Sequence, residues 1–241
     1  MEEYAAVVGD DKTRYFVVRR KNMRNMRMMI NGNGEVVVSC SPRLAFAQIN
    51  AFVLKNLDWI ASKTKEIAAR PKPEKRRYLT GEKFLFCGEE CLLAVVRGDR
   101  EKVEKVGGTL AVTVRDTEDF DKKRKLIDKW YKKNTEKIFR ERFEYCLSLY
   151  RNLFPDIYTL RIRRMKARWG SCMINKNTVV LNSKLIYADI KYVDYVIMHE
   201  LCHFYHKNHD HDFYRMLASL CPCHRQLKKD LNHGGYISYS H

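Results

Sequence analysis

The chain has 241 residues, 46 Lys+Arg against 29 Asp+Glu, and a formal net charge of +17. That length makes one large domain or two small ones with a sizeable core, no apolar run approaches the roughly 18–20 residues of a membrane span, and the acidic start Met1-Glu2-Glu3-Tyr4 has no signal-peptide pattern, so a cytoplasmic protein is the expectation. The charge favours acidic partners: nucleic acid, nucleotides or acidic protein segments. The eight Cys are scattered through a chain too long for a disulfide scaffold and read as reduced thiols.

In chain order, Thr13 to Val18 alternates as a strand, and a run of cations follows from Arg19 to Arg27. Met28-Met29-Ile30, the turn Asn31-Gly32-Asn33-Gly34 and Val36-Val37-Val38 predict a hairpin. Ser41-Pro42 reads as a helix start, with Ile49, Phe52, Val53, Leu57 and Ile60 at helical period after it. This helix should fade at Ala69-Arg70, before Pro71-Lys72-Pro73. Phe84 to Phe86 and Leu92 to Val96 around Gly88 predict a second hairpin, and Leu110 to Val114 another strand. Gly107-Gly108 is a turn and not a phosphate loop, since no Gly-Lys-Ser/Thr follows.

From Glu118 to Tyr150 the apolar spacing predicts one long helix with a mixed-charge solvated face. Pro155 ends the connection, Tyr158 to Met165 is a strand, and Thr178 to Leu181 another. Arg161, Arg163, Arg164, Lys166 and Arg168 place five cations in eight residues before Trp169, either a substrate-facing wall or the solvent face of an edge strand. Phe213, Leu217 and Leu220 suggest a short helix broken at Pro222, and Leu227 and Leu231 a last one, before a tail from Gly234 without clear periodicity. Cys221-Pro222-Cys223-His224 has no second pair at zinc-finger spacing and reads as a helix-start turn. No internal repeat or low-complexity tract is visible. These elements predict an α+β chain: a strand-rich region over 1–117 and a helical region over 118–241.

The chemistry concentrates in His199-Glu200-Leu201-Cys202-His203. On a helix the two histidines lie roughly 40° apart, one turn from each other, and can grip one divalent metal. Glu200 sits where it can act as base toward an activated water, and Val193, Ile197, Leu201 and Phe204 form a separate apolar arc. Asp189 is placed to cap this helix. His206, His209 and His211 compete for a third ligand position. His206 lies a turn too far along the axis, and His209 works only if the helix stops. Asn208 is placed to stop it, with Asp210 capping the next helix.

The ordered set Trp169-Gly170-Ser171-Cys172, Leu181-Asn182, Asp194-Tyr195-Val196-Ile197, His199-Glu200-Leu201-Cys202-His203 and Asn208-His209 with Phe213 resembles the YgjP-like metal-dependent hydrolases, relatives of the SprT-like zincin metallopeptidases. Asp210 stands where that family usually has Ser or Gly, and Tyr214 where it usually has Trp. The resemblance extends from about Tyr15 to the last helix. It implies a zincin-like core with the ligands in a cleft between a sheet and the metal helices, and it supports His199, His203 and His209 as ligands of Zn2+ or another divalent metal. A zinc metallopeptidase using Glu200 as general base is the leading expectation. The alternatives are a metal-dependent nucleoside-triphosphate pyrophosphohydrolase, an activity attached to YgjP-like members, and a non-catalytic nucleic-acid-binding protein with a structural zinc. Arg161, Arg163, Arg168 and Trp169 are the candidate substrate contacts.

Overall fold

The computed structural model describes residues 2–8, 11–31, 34–68, 76–154, 158–234 and 236. The chain is α+β and forms two compact units, Met1–Lys72 and Pro73–His241. In the first, β1 (Glu2–Val8) pairs antiparallel with β2 (Asp11–Arg19), and β3 (Arg27–Ile30) with β4 (Val36–Cys40). β4 then lies parallel to β2, with Val17 opposite Val38, giving the order β1-β2-β4-β3. Strand alternation puts Tyr15, Val17, Val36 and Val38 into one core with Ile49, Val53 and Ile60.

The helical segment of this unit departs from its expected form. Ser41 closes a turn, its carbonyl accepting from Leu44 N–H, and α1 (Phe46–Leu54) begins only at Phe46. There the Gln48 side chain accepts from the Ala45 N–H at 3.2 Å. The Asn56 side chain donates to the Phe52 carbonyl at 2.7 Å, competing with the helix ladder, so α1 ends and α2 (Leu57–Ala68) starts as a separate helix. The expected stop at 69–73 and the centre of the first hairpin turn lie outside the described residues.

In the second unit β5 (Lys83–Phe86), β6 (Glu89–Arg97), β7 (Lys102–Val106) and β8 (Thr109–Val114) form a sheet of order β5-β6-β8-β7, with β6 parallel to β8 and the outer pairs antiparallel. This repeats the strand order and senses of the first unit. The duplication is one of topology, and many alternating sequences satisfy it. β7 reads Lys-Val-Glu-Lys-Val, with Val103 half-buried and Val106 exposed, so its apolar signal is weak.

α3 (Phe120–Leu149) is capped by Asp119, whose side chain accepts from Lys122 N–H at 2.9 Å. Its buried row Ile127, Tyr131, Thr135, Phe139, Phe143 repeats every four residues. Next come β9 (Thr159–Arg163), β10 (Gly170–Met173) and β11 (Thr178–Asn182), a three-stranded sheet of order β10-β11-β9 with β10 at an edge. Helices α4 (Ile190–Cys202), α5 (His211–Leu220) and α6 (His224–His233) complete the unit. Phe84, Leu93 and Val112 from the first of these sheets share one core with Phe139 of α3, Leu181 of β11 and Ile197 of α4. The boundary expected at 117/118 would cut through this core, and the compact units instead part between Lys72 and Pro73. Pro155 and the tail beyond Gly234, Tyr236 excepted, lie outside the described residues.

Candidate metal centre

α4 is fixed at several points. Asp189 caps it, accepting from Lys191 N–H at 3.0 Å. The β5–β6 turn presses on this cap: Gly88 has φ +83°, and a Cβ there would stand 2.9 Å from Asp189 Cα. In mid-helix Arg142 of α3 donates two hydrogen bonds to the Asp194 carboxylate, at 2.8 and 2.7 Å. Val193, Ile197 and Leu201 are fully buried, and so is most of the opposite side, from Tyr192 to Met198. The expected single apolar arc is therefore a helix buried almost all round.

The last turn of α4 carries His199 and ends at His203, whose backbone is still right-handed helical. The chain turns at 203–205, earlier than Asn208, and Asn208 is not among the described residues with positive φ. A carbonyl only accepts, so His203 Nδ1, 2.9 Å from the His206 carbonyl oxygen, donates to it, and Nε2 is the nitrogen that is left to face a metal. His206 thus contributes backbone, not its ring. Asp210 caps α5 by accepting from Phe213 N–H at 3.0 Å, and this swings His209 back toward α4. His199 Nε2 and His209 Nε2 come within 2.9 Å, and one ligand atom from each of His199, His203 and His209 lies within 4.8 Å of the others. The fully buried Phe213 underlies all three rings, with centroids 4.7 to 5.0 Å away. His211 opens α5 and is exposed.

This donor set fits a divalent metal. Three imidazoles converge by nitrogen, a donor type that suits such an ion. Burial first, then the neighbouring His203 and His209, pushes His199 down to about 3, and burial lowers His209 as well. Among the described residues His199 Nδ1, which is buried, has no hydrogen-bond partner, while Nε2 lies beside His209 Nε2.

Glu200 stands beside this triad, 5% exposed. Burial pushes its carboxyl up to about 8, against the opposing pull of Arg168 and of the Cys172 N–H, which donates to it. Its place is set by Gly170: a Cβ there would be 2.5 Å from Glu200 Oε1, 2.7 Å from its Cγ and 2.8 Å from Val196 Cγ1. The side chain of Asn182, fully buried, accepts from the N–H groups of Met165 and Lys184 and donates to the carbonyls of Met165 and Arg168. It pins the 165–168 loop that leads into β10.

A cleft of about 520 Å³ opens over the triad, walled by β10, α4 and α6. Arg168 and Trp169 line it, and Trp169 Nε1 donates to Asn232 of α6 at 3.1 Å. Arg161 and Arg163 do not line it; Arg163 faces a second hollow of about 270 Å³ near Lys184. The five-cation run is divided because Arg161 and Arg163 lie on β9, at the opposite edge of the sheet from β10, while Arg168 lies in the loop that leads into β10. Sequence reasoning missed Lys207 and Lys228, which also line the cleft, and the packing roles of Gly170 and Phe213. The glycine's presence in Trp-Gly-Ser-Cys was the one available signal.

A family model described as YgjP-like, metallopeptidase domain, matches residues 24–234. No curated protein matches the chain at a significant level. Among solved structures, the chain is similar to the metallopeptidase zymogen jannalysin of Methanocaldococcus jannaschii, at 22% identity and a TM-score of 0.35, over 40% of this chain and 95% of that one. It is also similar to the metallopeptidase zymogen abylysin of Pyrococcus abyssi, at 17% identity and a TM-score of 0.35, over 39% and 90%.

Proposed function

The chain belongs to the YgjP-like metallopeptidase family and is a metal-dependent hydrolase, and from that premise we propose that it is a zinc peptidase in which His199, His203 and His209 hold the metal and Glu200 moves the proton. The observation that carries this reading is the convergence of three imidazole nitrogens beside one buried carboxylate in an open cleft. A divalent metal held there supplies a Lewis acid that makes water nucleophilic near neutral pH and polarises the attacked carbonyl. Glu200 takes the proton of the attacking water on a carboxylate oxygen and delivers it to the departing amine nitrogen. Beside a dication its carboxyl ionises more readily than in the chain alone, which brings it into the range of a working base. Gly170 and the Cys172 N–H hold that carboxylate in place.

The peptide assignment rests on β10. It is an edge strand whose residues Gly170, Ser171 and Cys172 line the cleft, and an extended polypeptide can add to such an edge. A nucleoside triphosphate has no use for a strand edge, so the pyrophosphohydrolase alternative draws only on the open metal position and the net charge. The test is Glu200→Gln, zinc-loaded and given unfolded polypeptide. The metal stays bound while the rate falls at least ~10²-fold. Unchanged turnover in that variant would remove Glu200 from the mechanism.

A further inference from the structure

We propose that the cleft selects polypeptide segments with acidic side chains next to the cleaved bond, read by Arg168, Lys207 and Lys228; this rests on the peptidase reading above. The three cations reach the cleft from three directions: Arg168 from the loop before β10, Lys207 from the segment after α4, and Lys228 from α6. All three are exposed. Among the described residues lining the cleft, Glu200 is the one carboxylate. Asp210, next to His209, does not line it and is turned to cap α5.

None of the three makes an ion pair among the described residues. Lys228 instead lies over the Tyr214 ring at 5.8 Å. Some exposed cations elsewhere do find partners, such as Lys83 with Glu90, Arg140 with Glu136 and Arg215 with Asp212, while Arg161 and Arg163 make no ion pair among the described residues. What sets these three apart is their place: their unpaired charge converges on the cleft where a substrate would lie. Even with Glu200 ionised the three cations leave the wall positive, and a bound dication adds to it. Like charges on a basic segment would be repelled, and carboxylates flanking the bond would each find a cation without first breaking an ion pair.

An exposed pair contributes up to about fivefold in affinity, so two or three engaged together give about tenfold or more. The probe is a set of short labelled peptides identical except for Glu, Gln or Lys around the centre, bound to the zinc-loaded Glu200→Gln protein and followed by fluorescence anisotropy. The Glu peptide should bind about tenfold more tightly than the Gln peptide, and the Lys peptide more weakly than either. High ionic strength should erase most of the difference, and so should Lys207→Ala with Lys228→Ala. In parallel, the wild type digests an unfolded protein mixture and the cut sites are sequenced, with Asp and Glu expected to be enriched near the cuts. Equal binding of the three peptides, or cuts without acidic bias, overturns charge selection and leaves the peptidase reading standing. Failure to cut any polypeptide, with turnover of a nucleoside triphosphate, overturns both.

Discussion

Gly170→Ala tests whether the β10 backbone sets the position of the base. The added methyl would stand 2.5 Å from Glu200 Oε1 and 2.7 Å from its Cγ, well inside ordinary contact. Gly170 has no positive φ, so the substitution strains no backbone angle and its effect is purely one of space. Val196 Cγ1, 2.8 Å from the same point, closes the sideways escape. The carboxylate must therefore withdraw, by something like 1 Å, or β10 must shift. Overpacking of this kind costs about 1–3 kcal/mol, and in a chain of this size each kcal/mol lowers the melting temperature by roughly 2–4 °C. A base misplaced by about 1 Å loses on the order of 10²-fold in rate. The three atoms nearest the new methyl belong to Glu200 and Val196 and not to a histidine, so zinc content should stay at the wild-type level. The assays are melting by circular dichroism, metal analysis and peptide turnover, with Gly108→Ala as control, since nothing lies within 4 Å of that position. Wild-type turnover per folded Gly170→Ala molecule would refute the argument, even if the melting temperature fell.

Two further outcomes are expected. His209→Ala should lose zinc on mild chelation far more readily than His206→Ala or His211→Ala, because His206 offers its carbonyl and His211 is exposed; metal analysis that ranks His211→Ala lowest would move the third ligand. The second concerns pH in the metal-free protein, where burial raises the Glu200 carboxyl from 4.5 to about 8. Between those values the folded chain holds a proton that the unfolded chain has released. This contribution to stability is fully present below pH 4.5 and is lost as pH rises through about 8, by an amount on the order of a few kcal/mol. Glu200→Gln lacks this titration, so its melting temperature should gain on that of the wild type across that window, and a constant difference would show that the carboxyl is not raised.

Much was legible because it is local. The helix caps at Asp189 and Asp210, the long α3 with its four-residue row, the hairpin around Gly88 and the one-turn spacing of His199 and His203 all follow from neighbours within a few residues. Dihedral preference and periodicity act over that range. Even the error at Ser41 was local: a turn was read as a cap, because serine serves both.

What the tertiary structure decided involves contacts across long separations. Sheet register and packing brought Gly170 against Glu200, Arg142 to Asp194, and Asn182 to the 165–168 loop. They also divided the basic run, leaving Arg168 in the cleft and Arg161 and Arg163 outside it, and gathered Lys207 and Lys228 at its rim. The sequence by itself determined most of the elements and the candidate ligand types; the fold determined which of them meet, because a residue's neighbours in space depend on the pairing and packing of elements that the local chain does not encode.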